Sequence, residues 1–176
     1  MSVGDPERRY PRIPRGLYEQ VLAVESSVDA VIPPAFAYRP CRVRLEDDTW
    51  LPRVYVQEAR SWLELWGVWP DEDPGKTEVA IGDVVEIADS PVRLPPHLAT
   101  RMYDAGESGM GGCSFTLVLA DGRRLACDTG NAVDFVDLPA GVATSHVVDL
   151  EPHGRAGEPT AGAAYAWCLY ELPPVG

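Results

Sequence analysis

The sequence predicts a β-rich α+β protein, built as a strongly bent antiparallel sheet or a small barrel with one main helix. Several short segments alternate apolar and polar residues with the period of two that is typical of half-buried strands. Turn-forming Gly, Pro and Asp residues separate these segments at short intervals, as in small barrels and bent sheets. Only one segment, at about residues 95–105, carries a clear apolar stripe at helical spacing.

The first part of the chain is predicted to be an extended arm. Residues 1–16 contain three prolines and few apolar side chains. Residues 17–176 then form a single globular domain or two lobes: a β-meander at about residues 35–90, and a helix, a hairpin and C-terminal strands at 91–176. No internal repeat is apparent.

A short helix is expected over residues 17–24, where three apolar residues recur at helical spacing. Pro33-Pro34 ends any continuation of this helix, because proline lacks the amide hydrogen and disfavours helical angles in the residue before it. The meander begins with strands at 41–45 and 50–57, joined by the acidic turn Glu46-Asp47-Asp48.

Residues 58–69 fit two structures. Ala59, Trp62 and Trp66 recur at helical intervals, yet the segment from Trp62 to Trp66 is short, aromatic and bounded by Gly67 and Pro70. The short length and the nearby breakers favour a strand. Further short strands are predicted at 79–81 and 84–87.

The second half begins with the helix at 95–105, which Gly106 ends. The hairpin over 113–129 has two candidate registers. A two-residue turn would place Leu119 opposite Arg124, whereas a three-residue loop ending in Gly122 keeps one face apolar and is preferred. That loop pairs Leu117 with Leu125 and Phe115 with Cys127. Strands at 146–150 and 164–172 follow, with a Gly/Pro-rich loop at 151–162 between them.

The charge of the chain restricts its partners. The 176 residues include 15 Lys and Arg against 27 Asp and Glu, for a net charge of −12. A nucleic-acid backbone would be repelled by such a chain, so no nucleic-acid partner is expected. Residues 46–90 hold twelve acidic and three basic residues, which favours a partner with a basic surface.

Targeting segments, reactive cysteines and metal-binding histidines are not apparent in the sequence. No apolar run has the length of a secretory signal or a membrane span, so a cytoplasmic protein that does not bind membranes is expected. The four cysteines form no CxxC pair and lie in apolar stretches, which predicts buried reduced thiols. The three histidines lack the spacing of metal ligands, and neither a metal nor a cofactor is expected.

The leading functional hypothesis is a non-catalytic protein-binding module. Four of the five tryptophans lie within residues 50–69, beside an acidic loop, and Trp anchors interfaces well while an acidic rim selects basic partners. An inhibitor or immunity-type protein that neutralises a basic partner is one form of this function. The alternative is that the tryptophans form the core of a sheet. The residues of the predicted partner-binding face are Trp62, Trp66, Trp69, Asp71, Glu72 and Asp73.

The rival hypothesis is a small hydrolase. Asp128-Thr129-Gly130, after the apolar Leu125-Ala126-Cys127, resembles the loop of aspartic proteases, in which two aspartates share a proton and activate water. One copy would require a symmetric dimer, and Asn131 stands where that family prefers Ser or Ala. A second route is a nucleophilic Ser108 paired with one of the histidines.

The glycine-rich segment after the main helix is predicted to be a plain connection or a mobile loop that closes over a ligand. It leaves a helix C-terminus, whose partial negative charge repels phosphate, so a phosphate-binding loop is excluded. Its residues are Gly106, Glu107, Ser108, Gly109, Gly111 and Gly112.

Overall fold

Two four-stranded sheets and three α-helices make up the fold of residues 4–28 and 37–176, which the computed structural model describes. The β-rich α+β class predicted from the sequence is confirmed, with the strands divided between two sheets. The helices are α1 (Arg15–Ala23), α2 (Ala59–Trp66) and α3 (Pro96–Ala105). The strands are β1 (Arg39–Leu45), β2 (Trp50–Glu58), β3 (Val84–Asp89), β4 (Cys113–Leu119), β5 (Arg124–Thr129), β6 (Val147–Pro152), β7 (Glu158–Ala161) and β8 (Ala166–Tyr170).

The chain divides into two compact units, each with one sheet. Among the described residues, the first unit comprises 4–26, 37–90 and 165–176, and the second comprises 27–28 and 91–164. The C-terminal strand β8 therefore lies in the first unit, where it pairs in parallel with β2. Each unit has its own apolar core.

The two units repeat one strand topology. The first sheet has the order β3-β1-β2-β8 and the second has the order β6-β4-β5-β7. In each sheet an antiparallel hairpin, β1–β2 or β4–β5, is flanked by an antiparallel strand on one side and a parallel strand on the other. A helix precedes each hairpin, and a single 3-10 turn leads into β3 and into β6. This internal repeat is not apparent in the sequence.

The repeat extends to single hydrogen bonds. The pairing of β1 with β3 shifts register just before Leu45 meets Val84, and the pairing of β4 with β6 shifts just before Leu119 meets Val147. The hairpins close on equivalent bonds, from Leu45 N to Thr49 O and from Leu119 N to Arg123 O, both 2.9 Å long. The two hairpins therefore occupy the same place in a common framework.

The helices also correspond. α1 buries Leu17 and Val21, and α3 buries Leu98 and Met102 at the same spacing. Each helix contacts the strand after the 3-10 turn of its own unit through one polar side chain. Gln20 Oε1 accepts a 2.7 Å bond from Ile87 N, and Arg101 donates a 2.8 Å bond to Leu150 O.

The predicted strand at 62–66 is wrong, because this segment belongs to α2. The Glu58 carboxylate accepts hydrogen bonds from Arg60 N and Ser61 N, which satisfies amides that a helix start leaves unpaired. Gly67, at φ 75°, ends the helix in the left-handed conformation that favours glycine. The helical spacing of the tryptophans was therefore the better guide.

Two further local predictions are corrected. Residues 81–83 form a 3-10 turn, and Glu78 makes only an isolated bridge to Trp167, so the predicted strand at 79–81 is absent. The predicted loop at 151–162 contains β7, which pairs in parallel with β5. The arm has no regular structure between residues 4 and 11, but its Ile13 is buried. The predicted break at Pro33-Pro34 lies outside the described residues.

Other predictions are confirmed. The hairpin β4–β5 has the three-residue loop and the pairs Phe115–Cys127 and Leu117–Leu125, with Gly122 at φ 88°. The four cysteines are free and buried. Burial raises the pKa of the Cys127 thiol to about 12 and raises the pKa of the Cys168 thiol as well.

None of the described helices has the length and apolar character to cross a membrane.

Candidate functional site

The tryptophans of the predicted binding face pack mainly into the core of the first unit. Trp62 is fully buried, stacks on Trp66 with ring centroids 5.1 Å apart, and meets Trp167 edge-on at 4.3 Å. Its indole Nε1 donates a 2.8 Å hydrogen bond to Val68 O. Trp66 is half-buried, and the Lys76 ammonium lies 5.1 Å from its ring. These contacts give Trp62 and Trp66 a packing role.

The chain's own N-terminal arm covers Trp69. The indole Nε1 of Trp69 donates a 3.0 Å hydrogen bond to Asp5 O, and the Tyr10 ring lies 5.2 Å away. The Arg8 guanidinium lies 5.6 Å from the Trp69 ring. A Cβ added at Gly4 would approach the end of the Leu63 side chain at 2.8 Å, so the arm packs closely on this surface. An arginine- and tyrosine-bearing segment thus occupies part of the predicted face.

The three carboxylates of that face have partners within the chain. Asp71 pairs with Arg8 at 2.7 Å, and this hydrogen bond holds the pKa of Asp71 below its ordinary value. Glu72 accepts a 3.1 Å bond from Trp69 N, and Asp73 pairs with Lys76. A partner with a basic surface would have to compete with these internal donors. That partner class stays a prediction.

A groove of about 640 Å³ lies beside this face, between the arm, α2 and the residues after β8. We call it the arginine groove. Its walls combine apolar and charged residues, and the apolar ones include Leu63, Trp69 and Leu172. Four arginines and three glutamates also line it: Arg8, Arg9, Arg12, Arg60, Glu58, Glu64 and Glu171.

The exposed charge of the arginine groove is mainly positive. Glu58 is buried and caps α2, and Glu171 accepts a 3.1 Å bond from Tyr10 N. Arg12 and Arg60 are exposed and form no ion pair with any residue of the described ranges. Arg9 is largely exposed, 3.8 Å from Glu171. The groove therefore offers three accessible cations in a protein of strongly negative net charge.

A second cavity, of about 430 Å³, adjoins the same C-terminal segment. It shares Leu172, Pro173, Pro174 and Val175 with the arginine groove and is otherwise lined mostly by α1. Leu22, Leu172 and Val175 are among the exposed large apolar residues of the protein. Apolar surface of this kind, edged by charge, is typical of sites that take a partner.

The second unit brings Ser108 against a histidine. Ser108 Oγ lies 3.0 Å from His153 Nδ1, and His153 Nε2 lies 3.4 Å from Ala105 O. When Nε2 carries the hydrogen and donates to this carbonyl, Nδ1 has a free lone pair facing the Ser108 hydroxyl. The half of the rival hypothesis that pairs Ser108 with a histidine therefore has a definite geometry.

Asp128 connects to the same group through Ser114. Ser114 Oγ donates a 2.6 Å hydrogen bond to the Asp128 carboxylate, and Ser114 N donates a 2.9 Å bond to Ser108 Oγ. The other two histidines take no part, because His97 lies on α3 and His146 accepts a bond from Ala143 N. Whether two copies of Asp128 meet in a dimer stays a prediction.

The glycine-rich segment folds as a tight loop. Ser108 N donates a 2.8 Å bond to Gly112 O, and Gly112 N donates a 3.1 Å bond to Gly109 O. Gly109 and Gly111 have positive φ angles, and the Met110 side chain between them is fully exposed. The backbone bonds hold Ser108 at the base of the loop and leave its tip in solvent.

A cluster of buried polar side chains around Asp134 stabilises the second unit through hydrogen bonds. The Asp134 carboxylate accepts hydrogen bonds from Ser27 Oγ and from Tyr103 OH, the latter at 2.7 Å, and Arg93 lies 3.8 Å away. Tyr103 OH also accepts from Val133 N. Burying Asp134 and Arg93 is tolerable because each has polar partners. Across residues 4–28 and 37–176, no three His, Cys, Asp or Glu side chains are grouped so as to hold a metal.

Sequence reasoning missed the arginine groove. Its signal was the cluster of four arginines within residues 8–15. The other wall includes Arg60 on α2, a segment that the sequence predicts to be a strand. No family model, no curated protein and no solved structure matches the chain.

Proposed function

We propose that the protein is a protein-binding module whose contact surface is the arginine groove of the first unit. The observation that carries the proposal is a concave site of about 640 Å³, within the size range of ligand sites, whose walls carry both apolar residues and accessible arginines. Apolar walls supply most of the binding free energy, and a few charges fix orientation and specificity.

The charges favour an anionic segment of a partner chain. Arg9, Arg12 and Arg60 are exposed, whereas the Glu58 and Glu171 carboxylates already accept internal hydrogen bonds. An arginine guanidinium binds a carboxylate with two parallel hydrogen bonds, so carboxylates are its natural counterparts in a peptide. Glu64 is the exposed acid that opposes this attraction.

The apolar residues along the C-terminal segment favour an extended polypeptide over a small ion. The arginine groove and the adjoining cavity share residues 172–175, so one segment can contact both. A peptide with apolar side chains and one or two carboxylates matches the walls and the arginines together. This partner has the opposite charge to the one that the acidic residues 71–73 predict.

The experiment is a selection from a library of random peptides displayed on phage, followed by fluorescence anisotropy with the enriched peptides. The expected result is enrichment of acidic and apolar peptides. Charge reversal at the three exposed arginines, R9E/R12E/R60E, should weaken their binding about tenfold or more, because each arginine is an accessible rim charge. Raising the ionic strength should also weaken binding.

The matched control is Arg155→Glu, an exposed arginine in the second unit, which should leave the dissociation constant unchanged. Enrichment of basic peptides that lose affinity on D71N/E72Q/D73N would overturn the proposal in favour of the acidic face. Failure to enrich any peptide above the uncoated control would overturn binding at this surface altogether.

A further inference from the structure

We propose that Ser108 and His153 form a nucleophile–base pair that hydrolyses small neutral carboxylic esters. The pair lies in the second unit and does not depend on the arginine groove. Its basis is the 3.0 Å contact between Ser108 Oγ and His153 Nδ1. A serine becomes a useful nucleophile when an adjacent base within hydrogen-bond reach takes its proton.

The hydrogen bonds around the pair direct the hydroxyl proton towards the imidazole. Ser114 N donates to Ser108 Oγ at 2.9 Å, which occupies one lone pair of the oxygen and leaves its hydrogen free to be donated. That hydrogen has two acceptors, His153 Nδ1 at 3.0 Å and Ser114 O at 3.3 Å, and the imidazole is the nearer. The same amide would stabilise an alkoxide on Ser108.

The imidazole is held in the tautomer that the reaction needs. His153 Nε2 lies 3.4 Å from Ala105 O, at the end of α3, so this nitrogen carries the hydrogen and Nδ1 accepts. His153 also adopts a left-handed backbone with φ 59°, which is uncommon for a residue with a side chain. Triads reach the same arrangement with a carboxylate in the place of the carbonyl.

Asp128 acts as a positioning residue. Its carboxylate accepts the 2.6 Å bond from Ser114 Oγ, and Ser114 in turn donates its amide to Ser108. Asp128 touches neither Ser108 nor His153 through any hydrogen bond of the described residues. Its role in the reaction is therefore to fix Ser114, for which a neutral oxygen acceptor suffices.

The surroundings select the substrate. Ser108 and His153 lie at the surface, so a small ester reaches them without an enclosed cavity. Glu107 precedes Ser108 in the sequence, and the Asp128 carboxylate is linked to Ser108 through Ser114. These two negative charges would repel an anionic acyl group. A neutral acyl group meets no such repulsion.

The reaction has two balanced steps. Ser108 Oγ attacks the ester carbonyl carbon, and its proton passes to His153 Nδ1. The bond to the leaving oxygen then breaks, the imidazolium gives that oxygen its proton, and the alcohol departs to leave acyl-Ser108 and a neutral imidazole. Water then attacks the acyl carbon, losing a proton to the imidazole, and the imidazolium returns a proton to Ser108 Oγ as the acid departs. One ester and one water give one acid and one alcohol.

The test uses p-nitrophenyl acetate with the full chain. The expected results are a burst of p-nitrophenol and an acetyl group mapped to Ser108 by mass spectrometry of peptides. Ser108→Ala and His153→Asn should each lower the burst rate about 100-fold, with similar losses because the two side chains act as a unit. Asparagine is chosen because it tolerates the left-handed backbone at position 153.

Exposed imidazoles also react with this ester, so His97→Asn is the matched control and should leave the burst unchanged. Asp128→Ala removes the acceptor of Ser114 Oγ and should slow the burst, and Asp128→Asn should recover part of that loss because its amide oxygen still accepts from Ser114. Acetyl groups found elsewhere than on Ser108, or a burst that survives Ser108→Ala, would overturn the proposal. Loss of activity on Asp128→Asn with retention on Ser108→Ala would overturn it in favour of aspartate chemistry.

Discussion

The two units share a framework and differ in the segments attached to it. The common part is a helix, a hairpin, a 3-10 turn and two flanking strands, and the antiparallel flanking strand shifts register at the same place in both units. The register shift within β1–β2 has no counterpart in β4–β5. The arginines of the groove, Ser108 and His153 lie outside that common part, whereas Ser114 and Asp128 lie on the hairpin β4–β5. Residues that build the framework are buried and apolar in both units, whereas the connections are free to diverge because fewer packing contacts constrain them.

The largest difference lies between the second strand of the hairpin and the 3-10 turn. In the first unit this connection contains α2 and the acidic loop, and it forms one wall of the arginine groove. In the second unit the corresponding connection, residues 130–143, contains no helix. All five tryptophans belong to the first unit, and Trp62 and Trp66 of α2 pack there against Trp167.

The second unit differs at two other connections. Residues 106–112 join α3 to β4 in a short glycine-rich loop that holds Ser108. His153 lies directly after β6, on the connection to β7. The first unit has no histidine, so the Ser–His pair has no counterpart there.

Equivalent leucines of α1 and α3 should cost similar stability when they are truncated. Leu98→Ala should lower the free energy of unfolding by about 3 kcal/mol and Leu17→Ala by about 2 kcal/mol, because both are buried and Leu17 slightly less so. Urea denaturation followed by circular dichroism measures both. The control is Leu22→Ala, on the exposed side of α1, with a change of about 0.5 kcal/mol or less. A cost under about 1 kcal/mol for either buried leucine would break the equivalence.

The equivalent turn positions Gly122 and Asp48 should respond unequally to substitution. Gly122 has φ 88° and open space around its missing Cβ, so Gly122→Ala should lower the free energy of unfolding by about 1 kcal/mol through backbone strain alone. Asp48 has φ 65°, and Asp48→Gly should change stability by about 0.5 kcal/mol or less, because relief of strain offsets the lost ion pair with Arg44. Thermal unfolding compares the two. An equal loss of stability in the two variants would show that glycine relieves no strain at position 48, and it would contradict the equivalence of the two turns.

The smallest expected change in stability concerns the ion pair between Arg8 of the N-terminal arm and Asp71 in the first unit. The hydrogen bond from Arg8 lowers the pKa of Asp71, so this pair stabilises the fold above the unfolded pKa and the stabilisation is lost as the pH falls through the folded pKa. Asp71→Asn should therefore lower the melting temperature at neutral pH, and the difference from the wild type should shrink on acidification. Asp83→Asn, an exposed carboxylate, is the control. If the difference in melting temperature between Asp71→Asn and the wild type grows as the pH falls, the predicted direction of the pH dependence is wrong.

Much of the framework could be predicted from the sequence. The register of β4–β5 followed from keeping Phe115, Leu117 and Leu125 on one face, and the main helix followed from its apolar stripe and Gly106. The strand misassigned at 62–66 shows the limit. A short aromatic run fits the period of a helix as well as that of a strand. The contact that decides between them is the capping of α2 by the Glu58 carboxylate, which depends on three-dimensional geometry.

The internal repeat and the sites were harder to predict. Equivalent positions share burial and backbone geometry more than residue identity, as with Val21 and Met102 or Gln20 and Arg101. Ser108 and Asp128 were selected separately from the sequence, but only the fold brings both to Ser114. The tryptophans were placed on a surface because a sequence does not show that the arm covers Trp69.

The buried cysteines give each unit its own reporter of opening. Cys41 and Cys168 lie in the core of the first unit, and Cys113 and Cys127 lie in the core of the second. A buried thiol with a raised pKa is almost free of thiolate, the form that reacts with alkylating reagents. Pulsed alkylation followed by peptide mapping would therefore reveal whether one half of the duplicated framework opens before the other, without any engineered label.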